Sequence, residues 1–231
     1  MTPETIAALN LALSERRPVA FAKNLKSGTE FLLPNADAPA GLNEIGLAVL
    51  STDKTGTHSI AGEDWFIEAR NPAPRLILVG AVHIAQALAP LAQMLSFEVL
   101  VVDPRRAFGN EDRFPSAKMV NEWPDVALTR IRPDVRTAIV TLTHDPKLDD
   151  PALDQALKTD AFYIGALGSR KTHSSRLERL SCLGHSPDAL RRIRGPVGLD
   201  IGAITTPEIA LSVVAEIVAV RRGGSLGIRA A

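Results

Sequence analysis

Four short strings carry the residue types from which a binding or reacting site could be built. The first is Gly80-Ala81-Val82-His83, directly after the apolar run Arg75-Leu76-Ile77-Leu78-Val79, with Asp103 further along the chain. A strand, a glycine, a helix, a second strand and then an acidic residue some twenty positions on form the frame of a dinucleotide-binding βαβ unit. Gly80 permits the tight turn, the amides at the helix start can face a phosphate, and Asp103 can accept from ribose hydroxyls. Val82 and Ala85 stand where the second and third glycines of that fingerprint would be. A β-branched side chain at 82 is expected to hinder a pyrophosphate, and a tight turn with no ligand is the alternative reading.

The second string is Tyr163-Ile164-Gly165-Ala166-Leu167-Gly168-Ser169-Arg170-Lys171. Two glycines follow a strand and lead into a basic helix, which sets Ser169, Arg170 and Lys171 at free N–H groups. Cations there oppose the helix dipole unless an anion binds. From Gly165 to Arg194 there are seven Lys or Arg against the two acids Glu178 and Asp188. An anion or phosphate site is the preferred reading, a solvated helix face the bland one. The third string, Gly195-Pro196-Val197-Gly198-Leu199-Asp200-Ile201-Gly202-Ala203, brackets Asp200 with glycines that let backbone approach a ligand, or that simply turn after a last strand. The fourth, Thr143-His144-Asp145, follows an apolar run and should face the carboxyl-end crevice of an open sheet, with His83 nearby.

These strings need a scaffold, and the chain supplies one after Asn71-Pro72-Ala73-Pro74, whose prolines suit an extended linker. Strands are expected at Arg75–Val79, Glu98–Val102, Thr137–Leu142 and Ala161–Ile164, with helices near 83–95, near 150–158 and from Thr205. The last is marked by a Thr205…Glu208 capping box and Pro207. Short β-branched runs alternating with helices predict an α/β domain, a Rossmann-like parallel sheet with helices on both faces, over residues 72–231. Residues 1–71 read as a small α+β domain with two hairpins and no chemical motif.

Composition narrows the function classes. The 231 residues carry 26 basic and 26 acidic groups, a balance that gives no support for nucleic acid as the main partner. A single cysteine, Cys182, leaves no internal disulfide and fits a reducing cytoplasm as a structural or incidental thiol. No His/Cys cluster points to a metal. Met1 to Arg17 lacks a long apolar run, so neither signal peptide nor membrane anchor is expected.

Taken together, Gly80-Ala81-Val82-His83, the run 101–105 ending in Asp103-Pro104-Arg105, Arg113-Phe114-Pro115, Leu142-Thr143-His144-Asp145, the Tyr163–Arg170 string and Gly198-Leu199-Asp200-Ile201-Gly202 resemble the xanthine dehydrogenase accessory (XdhC/CoxI) family over about residues 72–223. The resemblance implies a chaperone that binds the molybdenum cofactor, as the pterin or its dinucleotide form. Such a protein protects the cofactor while its terminal sulfur is installed and passes it to an apo molybdenum hydroxylase. It adds Ala81 and Arg105 to Gly80, Val82, His83 and Asp103 as expected cofactor contacts. Gly165, Gly168, Ser169, Arg170 and Lys171 are expected to hold a phosphate, and His144, Asp145 and Asp200 to complete the opposite wall. A cysteine desulfurase and a second copy of the chain are further partners the resemblance allows.

Two departures stand out. Family members carry Gly-x-Gly-His at the first turn, and many carry a glycine-rich N-terminal segment with a cysteine that has no counterpart before Cys182. The chain is thus expected to be a shortened or divergent relative, with a partner supplying the missing half. Two other readings stay open. One is an NAD(P)- or flavin-dependent oxidoreductase using His144 or Tyr163 for proton transfer. The other is a regulatory scaffold that binds a simple nucleotide.

Overall fold

The computed structural model describes residues 1–105, 107–109, 112–115 and 117–224. The chain forms two compact units, Met1–Pro72 and Ala73–Ala231. In the first, the strands β1 (Val19–Asn24), β2 (Glu30–Leu33), β3 (Gly56–Ile60) and β4 (Glu63–Arg70) form one antiparallel sheet in the order β2-β1-β4-β3. The two expected hairpins are therefore joined by pairing of β1 with β4. Helix α2 (Leu42–Thr52) covers the sheet through Leu42, Val49 and Leu50 against Ala20, Ala22, Trp65 and Ile67, and α1 (Pro3–Ser14) packs Leu9 and Ala12 against Val19.

The second unit carries the sheet that positions the candidate sites. Its strands are β5 (Arg75–Val79), β6 (Glu98–Val102), β7 (Lys118–Val120), β8 (Thr137–Thr141), β9 (Tyr163–Ala166) and β10 (Ile193–Arg194), all parallel, in the order β10-β9-β8-β5-β6-β7. Numbered from β5, that is the 3-2-1-4-5-6 order of a Rossmann sheet. The apolar run of β5 divides by the two-residue period of a strand. Leu76 and Leu78 point into one layer with α3 (His83–Met94) and α8 (Thr206–Arg222). Ile77 and Val79 point into the other, with α4 (Pro124–Ile131), α5 (Pro146–Leu157) and α6 (Arg170–Cys182). All four of these side chains are at most 1% exposed. Burying each contributes about 1.5–3 kcal/mol, which is why the unbroken apolar run lies at the sheet centre.

Two strands, two helices and two boundaries in this unit lie outside the sequence expectation; one boundary is that of α5, which begins at Pro146, four residues before its expected start. The strands β7 and β10 and the helices α4 and α7 (Pro187–Leu190) are too short to stand out in the sequence. Strand β9 begins two residues later than expected and takes in Gly165, which read as a turn glycine. A Cβ on Gly165 would meet Val197 Cγ2 at 2.6 Å and Tyr163 Cε1 at 2.8 Å, so packing across the strand demands glycine there. The α8 start is as expected, with the Glu208 carboxylate accepting from the amides of Ile204 and Thr205 at 2.9 and 2.8 Å.

Candidate functional site

The strand order reverses between β5 and β8, and the chain reversals after these strands meet there. Val79 pairs with Thr141, and the Leu142 amide donates to the Val79 carbonyl at 2.9 Å. Gly80 follows with φ +110°, and a Cβ on it would run into Thr143 Cγ2. Glycine is thus required twice over, by its backbone angle and by the neighbouring turn. Helix α3 begins after Val82 with no side-chain cap, which leaves the first-turn amides for an external acceptor. Val82 is half-buried against the β5–α3 apolar layer, so its side chain is tied up in packing rather than standing over the amides as a barrier. His83 is exposed at the helix start.

Asp103 faces inward. It is fully buried, and its oxygens accept from the Ala81 amide (2.8 Å), the Arg105 amide (2.9 Å), Arg105 Nε (2.9 Å) and Arg105 Nη2 (2.8 Å). Four donors fill a carboxylate's acceptor capacity, so a ribose hydroxyl reaches Asp103 only by displacing Arg105. Burial works to raise the Asp103 pKa, but the hydrogen bonds from Arg105 and from the two amides outweigh it and hold the carboxyl below its ordinary range. Arg105 stacks its outer face on Phe108, 4.6 Å from the ring centre, and Arg113 ties down the Ala81 carbonyl at 3.0 Å. Asp103 therefore braces the first turn.

The Thr143-His144-Asp145 turn is built from its own side chains. Asp145 caps α5, accepting from the Lys147 amide at 2.9 Å, and Thr143 Oγ1 accepts from the Asp145 amide at 3.0 Å. His144 sits at φ +60°, exposed. It lines a pocket of about 270 Å³ with Pro146 and Asp149 of α5 and with Lys171, Thr172, Ser175, Arg176 and Arg179 of α6. Ser169 is the N-cap of α6; its hydroxyl accepts from the Thr172 amide at 3.1 Å. That oxygen caps the helix.

Arg170 lies elsewhere. With Gly168, Asp200 and the 196–203 segment it lines a second pocket of about 590 Å³, next to Ile209 and Ser212 of α8. Of these two pockets, Lys171 lines the first with His144 and Arg170 the second with Asp200, whereas Arg170 and Lys171 were expected to grip one phosphate together. Tyr163 faces neither pocket. Its hydroxyl donates to Glu216 of α8 at 2.5 Å, and the same carboxylate accepts from the Gly198 amide at 2.9 Å. Burial, with the Glu216 charge beside it, pushes the phenol far above its ordinary pKa. That makes Tyr163 a structural strut rather than a proton donor.

With this geometry in view, the comparisons with known proteins are specific. A family model described as the XdhC Rossmann domain matches residues 76–217. The chain belongs to the XdhC family. An Escherichia coli K12 protein named molybdenum cofactor insertion chaperone PaoD is 35% identical over 150 residues, which are 65% of this chain and 41% of that protein. A Bacillus subtilis 168 protein named as a probable xanthine dehydrogenase component is 37% identical over 158 residues, 68% of this chain and 46% of its own length. The uncharacterized YqeB of E. coli K12 is 32% identical over 187 residues, 79% of this chain and 33% of its own. The chain therefore spans less than half the length of these curated relatives. A Bacillus halodurans crystal structure described as a xanthine dehydrogenase superposes with a TM-score of 0.71 at 23% identity, over 95% of this chain and 64% of that one, and so shares the fold.

Within this XdhC domain the sequence reading missed Asp149, Thr172, Ser175, Arg176 and Arg179. The signal was present but unusual. Positions 171, 172, 175, 176 and 179 share one face of α6 at helical spacing, and that face carries only hydrogen-bond donors and cations where an apolar stripe is the normal expectation. Among the described residues, no three His, Cys, Asp or Glu side chains converge as a metal site, and Cys182 is exposed at the last position of α6. No helix among them is long and apolar enough to cross a membrane.

Proposed function

We propose that this XdhC-family chain is a maturation factor that carries the molybdenum cofactor, in its pterin or dinucleotide form, to an apo molybdenum hydroxylase. The observation that carries the reading is the first turn. Gly80 leads into a helix whose opening amides have no side-chain cap, in a chain 35% identical to a protein named as a molybdenum cofactor insertion chaperone. Phosphate oxygens are the acceptors that suit such amides best, since the helix dipole adds to the hydrogen bonds. The donor set suits the organic part of the cofactor rather than its metal, because soft ligands are lacking among the described residues near the turn. Molybdenum is cargo in this reading, and the chain's own work is to bind, orient and shield.

The residues have separable tasks. The α3 amides at His83 and Ile84 would hold the phosphate. Arg105 would leave Asp103 for the ligand's charge, freeing Asp103 for a ribose hydroxyl of the dinucleotide form. Gly168, Arg170 and Asp200 would line a second contact region. A cytoplasmic carrier of this kind would meet a cysteine desulfurase while the terminal sulfur is installed. Reconstitution tests the reading. An apo molybdenum hydroxylase incubated with cofactor should regain activity faster and more completely when the chain is present. Equal recovery without it would refute the carrier role.

A further inference from the structure

The pocket between α5 and α6 has a construction that the cofactor reading does not use. Its floor is Arg176, 2% exposed, whose Nη2 donates to the Leu167 carbonyl at 2.8 Å. The Nε and Nη1 groups of the same guanidinium have no hydrogen-bond partner among the described residues. Asp149 is the neighbouring acid, but its Oδ2 lies 3.7 Å from Arg176 Nη2, too far for a hydrogen bond, and has no other partner. Its Oδ1 is already taken by the Thr143 hydroxyl at 2.7 Å. A buried guanidinium that keeps two open donors beside an acid it pairs with at 3.7 Å but does not hydrogen-bond is a costly arrangement to keep without a third group.

The rest of the wall supplies donors of the same sense. Lys171, exposed at the mouth, has no ion-pair partner among the described residues, and the Ser175 hydroxyl is likewise unbonded there. Arg179 is held in place by Asp150 through two contacts of 2.5 and 3.0 Å, so it adds field rather than a free fork. Lys171 and Ser175 are one helical turn apart on the α6 face that Arg176 shares. Burial raises the Asp149 pKa against the opposing pull of Thr143 and Arg176. The volume of about 270 Å³ equals roughly nine liquid water volumes, room for a five-atom tetrahedral ion and some of its hydration.

We propose that the pocket formed by Lys171, Ser175 and Arg176, with His144 and Thr172 at its rim, binds a phosphate group, as free phosphate or as a phosphate monoester. The Arg176 guanidinium, the Lys171 ammonium and the Ser175 hydroxyl line this one pocket. Four oxygens in a tetrahedron satisfy donors on three side chains, whereas a carboxylate offers two oxygens in one plane. The assignment does not depend on the chain carrying molybdenum cofactor.

The test is a calorimetric titration of the full chain with inorganic phosphate at low ionic strength. Saturable binding is expected, weakened at least about tenfold in the Lys171→Ala/Ser175→Ala double variant, whose exposed positions leave the fold intact. The Arg191→Ala variant, which removes an exposed cation outside the pocket, should bind as the parent does. Competition with cytidine 5′-monophosphate separates the two sources. Displacement at concentrations well below those of free phosphate identifies an esterified ligand, and no advantage identifies free phosphate. Absence of saturation, unchanged affinity in the double variant, or an equal loss in Arg191→Ala would each overturn the proposal.

Discussion

At the scale of single residues, the chain spends its most recognisable site residue on structure. Asp103 occupies the position from which a Rossmann acid reaches ribose, yet it is folded inward on the Ala81 amide and on Arg105. Its carboxyl is more acidic in the folded chain than in the unfolded one, so the stability it adds is present above its unfolded pKa and is lost as pH falls through the folded value. Replacing Asp103 by Asn should cost about 2 kcal/mol near neutral pH, the loss of charge-assisted bonds from Arg105 and an amide. The gap between parent and variant should narrow steadily once the pH drops below the ordinary carboxylate range. Urea unfolding at pH 7 and near pH 3 checks both parts, and a gap that widens in acid would contradict the assignment. The string around Asp103 was legible as a motif, but its orientation was not. Nothing in the spacing says that Arg105, two residues on, would fold back over the acid.

At the scale of elements, the sequence read well wherever a pattern was long. The strands β5 and β6 and the helices α3 and α8 are where their periodicity and capping residues put them. It read poorly where packing decides, as at Gly165, whose need for glycine comes from Val197 and Tyr163 rather than from a turn. The start of α6 illustrates both outcomes. Ser169, expected to hold a phosphate, is an N-cap, and removing its hydroxyl in Ser169→Ala should cost about 1 kcal/mol. The neighbouring Lys171→Ala should leave the stability of the ligand-free chain unchanged or slightly higher, because a cation at a helix N-terminus opposes the dipole. Thermal melts of the two variants read the opposite signs. A Lys171→Ala chain that melts lower than Ser169→Ala would show that the lysine is a structural partner. The donor face of α6 escaped the sequence reading because cations at helical spacing normally mark a solvated surface, and only the burial of Arg176 distinguishes this one.

At the scale of the whole molecule, the alternation of apolar runs with helices foretold a parallel sheet. The order β10-β9-β8-β5-β6-β7 then sets the reversals after β5 and β8 side by side, which is the place where such sheets hold nucleotides. The candidate residues nonetheless divide among three places: the first turn, the α5–α6 pocket and the pocket beside α8. A helix with successive residues on different faces sends Arg170 and Lys171 apart, and no spacing rule predicts which pocket each will meet. The cargo proposed for the chain is the molybdenum cofactor, in its pterin or dinucleotide form. Native mass spectrometry of the full chain, purified gently from a host that makes the cofactor, tests this most directly. The account predicts a retained species with the mass of the molybdenum pterin or its dinucleotide form, and a retained nicotinamide or flavin nucleotide, or a chain that emerges with no cofactor at all, would contradict it.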